Sequence, residues 1–93
     1  MGYKNHPVVS TAKVRGLIKK NGINYVDATR RYHPTIAVGV NVWQLCDSVY
    51  FQVFGYGSES KENEIYQKFV GVLANEGLAV HKGSHGVYEI VLG

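Results

Sequence analysis

The sequence predicts an α+β domain in which two helices cover one face of a four-stranded antiparallel sheet, with the elements in the order αββαββ. Three observations support this. Lys13-Val14-Arg15-Gly16-Leu17-Ile18, leading to Gly22-Ile23, aligns without a gap on Lys68-Phe69-Val70-Gly71-Val72-Leu73, leading to Gly77-Leu78, so one helical unit is used twice. Apolar residues alternate with polar, aromatic or small ones from Ile36 to Phe54, the period of half-buried strands. Eleven glycines against two prolines punctuate the chain with tight turns.

Ser10 or Thr11 supplies the hydroxyl that caps the first helix, which runs to about Asn21 and stops at Gly22. Its buried stripe is Val14, Leu17 and Ile18, and the opposite face carries Lys13, Arg15, Lys19 and Lys20 with no acid. From Asn24 to Thr35 no period is legible, and the segment reads as a long connection that begins with a short extended piece. Ile36, Val38, Val40 and Val42 then alternate with Ala37, Gly39, Asn41 and Trp43 in a first strand. After a turn over Gln44 to Ser48, Val49, Phe51 and Val53 alternate with Tyr50, Gln52 and Phe54, which makes a hairpin with one aliphatic and one aromatic, polar face.

Gly55-Tyr56-Gly57 breaks the second strand, and Ser58 or Ser60 starts a helix to about Glu76 with Ile65, Phe69, Val72 and Leu73 inward. Glu59, Glu62 and Glu64 lie near its start, where the helix dipole favours negative charge. Gly77 ends it. Leu78 to Lys82 and Val87 to Leu92 form a last hairpin across Gly83-Ser84-His85-Gly86, with Leu78, Val80, Tyr88, Ile90 and Leu92 inward. Short connections then place both helices on one side of the sheet, an arrangement related to the ferredoxin-like fold by a shift of the chain ends. The helix and hairpin after Ser58 also resemble a recognition helix with its wing. The early hairpin and the acidic second helix count against that alternative.

Ninety-three residues make one domain with one thin core, its repeat units spanning about 10–56 and 58–93. No apolar run reaches the ~20 residues that span a bilayer, and the first residues lack the apolar region of a secretion signal. With a single cysteine, Cys46, a cytoplasmic setting is expected. The net charge of +3 hides an asymmetry: residues 1–33 carry seven bases and one acid, whereas residues 34–93 carry three bases and six acids. Such a separation orients an approaching polyanion or acidic protein.

Two surfaces stand out as candidates for binding. The outward sheet face is expected to present Trp43, Tyr50 and Phe54 beside Asn41, Gln52 and His81, an aromatic patch of the kind that marks a protein interface. The basic N-terminal third offers Lys13, Arg15, Lys19 and Lys20, joined by Arg30 and Arg31 in the Arg30-Arg31-Tyr32-His33 stretch, for electrostatic steering or phosphate contact. Gly16 and Gly71, set opposite the apolar stripe of each helix, suit close approach of a partner helix or are simply tolerated.

Nothing in the chain amounts to a catalytic, metal or cofactor signature. Cys46-Asp47 has no nucleophile motif around it, His6, His33, His81 and His85 fit no zinc spacing, and Gly55-Tyr56-Gly57-Ser58 lacks the lysine of a phosphate loop. The expected function is therefore a non-catalytic module, such as a regulator or inhibitor, that docks another protein and self-associates. The alternative is a nucleic-acid binder in which Trp43 and Tyr50 stack bases, although no ribonucleoprotein-type motif is present in either strand of the first hairpin.

Overall fold

The computed structural model describes residues 7–27 and 37–93. The described residues form α1 (Thr11–Lys20), β1 (Val38–Leu45), β2 (Ser48–Gly55), α2 (Glu59–Asn75), β3 (Leu78–Lys82) and β4 (Val87–Leu92). One antiparallel sheet has the strand order β1-β2-β4-β3. With β4 inserted between them, β2 and β3 run parallel, so β2-α2-β3 is a split β-α-β unit. A single sheet that holds both hairpins rules out the winged-helix alternative.

Both helices start and stop where side-chain chemistry directs. Ser10 Oγ accepts the Lys13 amide at 3.1 Å, and Ser58 Oγ accepts the Lys61 amide at 3.2 Å, each satisfying one of the first-turn donors. At the end of α1, Ile23 N–H reaches the Ile18 carbonyl at 2.9 Å and Gly22 N–H reaches Lys19 at 3.2 Å, the two bonds of a Schellman turn. That turn requires a left-handed residue, and Gly22 supplies it at φ +72°, as Gly77 does after α2 at φ +75°.

The repeat survives at the level of burial. Val14 and Phe69, Ile18 and Leu73, and Ile23 and Leu78 are equivalent pairs, and all six lie in one core with Val40, Val42, Val49, Phe51, Val53 and Ile90. Leu17 and Val72 are half-buried in both units. The helices lie side by side and antiparallel. Lys13 near the start of α1 meets Glu76 at the end of α2, 3.3 Å apart, while the Gly22 turn faces Lys68 farther back along α2.

Alternation sets the two sheet faces. Val40 pairs with Val53, and Val42 with Phe51, on the helix side, whereas Asn41 pairs with Gln52, and Trp43 with Tyr50, on the other. Phe51 anchors the aromatic part of the core, meeting Phe69 edge-on at 4.7 Å and stacking on Tyr88 at 5.2 Å.

Three expectations need correction. The first hairpin turns over Cys46 and Asp47 alone, because strand pairing continues to Leu45 and Ser48. β1 correspondingly starts at Val38, and Ile36 lies outside the described residues. Leu92 has the inward parity expected, yet it is 70% exposed at the end of its strand. The short extended piece expected after Gly22 is present and also joins the sheet: Tyr25 bridges Val40 in parallel, through Val40 N–H to Asn24 O at 2.9 Å and Val26 N–H to Val40 O at 2.8 Å.

This approach explains Gly39. Its φ is +135°, and a Cβ there would overlap the Asn24 carbonyl. Gly39→Ala is expected to cost more than about 2 kcal/mol and to loosen the bridge at Val40. By contrast, a Cβ at Gly16 or Gly71 meets nothing within 4 Å. Each alanine should therefore raise stability by up to ~1 kcal/mol in denaturant melts. A loss of stability at either site would reveal a closely packed partner helix.

Candidate binding face and groove

The outer sheet face combines residues from all four strands. Trp43 and Tyr50 stack with ring centroids 6.1 Å apart and planes 25° from parallel. Both are half-buried, as are Gln52 and Phe54. Leu45, of the same parity as Trp43, extends the patch and is 63% exposed. Toward β3 the face is mixed, with Val87, Val91 and Ala79 beside Glu89 and His81. Glu89, opposite Tyr50, lies 3.9 Å from His81 Nδ1, a contact that becomes an ion pair only when the imidazole is protonated.

Asn41 behaves differently from its neighbours on this face. Its side chain is buried, and its Nδ2 donates to the Val26 carbonyl at 2.7 Å and to the Tyr25 hydroxyl at 3.4 Å. The expectation that Asn41 contacts a partner directly is thus joined by a structural role: its amide clamps the residue 24–26 segment to β1. The same segment holds Tyr25 under Arg15, whose guanidinium carbon lies 5.2 Å from the ring centroid, within cation–π range.

A groove of about 450 Å³ follows from this packing. Arg15 of α1 and Tyr25 lie on one side, with Asn41, Trp43, Gln44 and Gln52 of the sheet on the other. The helix and the hairpin, read as separate candidate surfaces in the sequence, thus share one concavity through Arg15. Among the described residues, Lys13, Lys19 and Lys20 do not line it. Lys13 is engaged with Glu76, and Lys19 and Lys20 are exposed in the last turn of α1, where cations complement the helix dipole. Arg30 and Arg31, with His6 and His33, lie outside the described residues.

A second concavity of about 380 Å³ lies between the first half of α2 and the start of β4, lined by Glu59, Glu62, Tyr66, Lys82 and Tyr88. It was not foreseen, because Tyr66 falls beside the inward stripe of α2 rather than in it. The Tyr66 and Tyr88 rings meet at 4.7 Å over Phe51. Among the described residues, no three His, Cys, Asp or Glu side chains come together as a metal site, and Cys46 is exposed in its turn. Among the described residues no helix is long and apolar enough to cross a membrane. No protein-family model, curated protein sequence or solved structure matches this chain.

Two outcomes follow from these contacts. Asn41→Ala leaves the Val26 carbonyl without its buried donor and should cost ~1 to 3 kcal/mol in denaturant unfolding. Burial raises the Tyr66 phenol above its usual value, and repulsion from Tyr88 raises it further. Unfolded tyrosine releases its proton near pH 10.0 while folded Tyr66 still holds its own, so the unfolded state binds fewer protons and stability falls as pH rises above that point. Tyr66→Phe should therefore lessen the alkaline loss of stability measured by circular dichroism.

Proposed function

We propose that this protein is a non-catalytic docking module that binds another protein through its outer sheet face, and that it self-associates through the same face. The observation that supports this reading is the stacked Trp43–Tyr50 pair, set on the side of the sheet away from both helices and continued by exposed Leu45. Soluble proteins seldom present contiguous aromatic and aliphatic surface of this kind without a partner to cover it. Aromatic anchors of this type supply much of the affinity in protein interfaces because they bury large areas with few rotatable bonds.

The polar residues around the pair suit a rim. Gln52, His81 and Glu89 surround the rings and can exchange water for a partner's polar groups, which sets register more than affinity. The exposed Lys19 and Lys20 on α1 add long-range attraction for an acidic partner, and this steering weakens with salt as the aromatic contact does not. The regulator or inhibitor role belongs to the same reading: a module that acts by occupying another protein's surface needs no chemistry of its own.

Nucleic acid is the second reading, favoured by one observation: Arg15, a cation able to contact phosphate, lines the groove beside Trp43, a ring able to stack a base. Glu89 beside Tyr50 weighs against a polyanion on the rest of the face.

Sedimentation equilibrium with Trp43 emission distinguishes these cases, since the chain has one tryptophan. The expected result is a mass above that of the monomer, insensitive to moderate salt and reduced to the monomer by Trp43→Ser. A monomer with water-exposed indole emission at every concentration overturns self-association. Quenching by a single-stranded oligonucleotide that fades steeply between low and moderate salt replaces the protein partner with nucleic acid.

A further inference from the structure

β1 is bonded to β2 along its whole length, and among the described residues its other margin is covered only in part. Val38 O accepts Asn24 Nδ2 at 2.6 Å, and Val40 exchanges both backbone bonds with Asn24 and Val26. In an antiparallel strand, the residues whose N–H and C=O face away from the neighbour recur at every second position, so the next ones after Val40 are Val42 and Gln44. Among the described residues no strand lies beside them. The Tyr25 hydroxyl touches the Val42 carbonyl at 3.5 Å, the outer limit of a hydrogen bond.

Val42 and Gln44 both line the groove of about 450 Å³. Arg15 lies over Tyr25 on its far side, and no ion pair joins it to a carboxylate among the described residues. Asp27 also lines the groove and has a partner of its own. The site therefore offers three things in a row: strand-spaced backbone donors and acceptors, the Trp43 ring, and a guanidinium fork.

We propose that this half of β1 binds an extended peptide segment of a partner protein that carries a carboxylate side chain. The segment adds to the sheet by bonding to Val42 and Gln44, places an apolar side chain against Trp43, and pairs its carboxylate with Arg15. Backbone bonds supply affinity that is indifferent to sequence, and the Arg15 fork selects the acid. A peptide fits better than nucleic acid because the alternating amides and carbonyls match another peptide backbone. A second copy of the chain fits less well, since its other sheet edge, β3, contains Leu78-Ala79-Val80-His81-Lys82 and no acid.

This inference rests on the docking reading but fails separately from it. The experiment selects binders from a random peptide library displayed on phage, then titrates the enriched peptides into ¹⁵N-labelled protein. Enriched sequences should alternate apolar residues around an Asp or Glu, and the shifts should centre on the amides of Val42 to Leu45. Arg15→Gln should weaken binding about tenfold or more, with Arg15→Lys retaining part of it and both variants keeping the wild-type amide spectrum elsewhere. Enriched peptides without an acid, shifts that map away from β1, binding indifferent to Arg15→Gln, or no enrichment each overturn the inference. Displacement of the same amides by an oligonucleotide assigns the groove to nucleic acid instead. If Trp43-dependent self-association persists while acidic peptides leave Val42 and Gln44 unmoved, the docking reading stands and the peptide assignment falls.

Discussion

The approach of the Asn24 backbone to Gly39 is the constraint on which the rest of this surface depends. Val40 bonds to both Asn24 and Val26 only if the Asn24 carbonyl lies where a side chain at position 39 would be. That contact in turn follows from the turn after α1, which commits Ile23 to the core and directs the next residues along β1. With the segment locked, Tyr25 is held beneath Arg15, and Asn41 finds a buried carbonyl to donate to. These contacts share one segment, so loss of any one of them loosens the hold on the others.

The aromatic face has a different origin. Strand residues point alternately to the two sides, so the aliphatic positions of the first hairpin can all be buried only if Trp43 and Tyr50 are turned away from the helices. A slip of one residue would place both rings under α2 and expose Val42 and Phe51, which lie buried in the core. Losing one buried Phe of this kind costs about 3 to 5 kcal/mol in comparable cores. The helix-facing core thus fixes the outer face without any interaction on the outer face itself.

This division explains what could be read from the chain. Caps, glycine stops, strand alternation and the repeat are local signals, and Ser10, Ser58, Gly22 and Gly77 lie where the sequence puts them. Trp43, Tyr50, Phe54, Asn41, Gln52 and His81 have the outward parity that alternation predicts. The ion pair of Lys13 with Glu76, the aromatic cluster of Tyr66 with Tyr88 and the groove were not legible, because each joins residues from elements whose relative placement no local pattern encodes. Gly39 was the one hint, since a glycine within a strand often marks the close passage of another backbone.

The two copies of the repeat are used unequally beside the sheet. At the offset of fifty-five residues that aligns the helices, Ile23 falls on Leu78, so the residues after Gly22 correspond to β3 rather than to β1. In the second copy those residues form five residues of strand hydrogen-bonded to β4. In the first they make a single parallel bridge at Val40 before the described chain ends at Asp27. A five-residue strand in the register of that bridge would have paired residues 23–27 with Val38 to Val42. Instead the Val26 carbonyl turns to the Asn41 amide, and among the described residues Val42, Trp43, Gln44 and Arg15 border one groove.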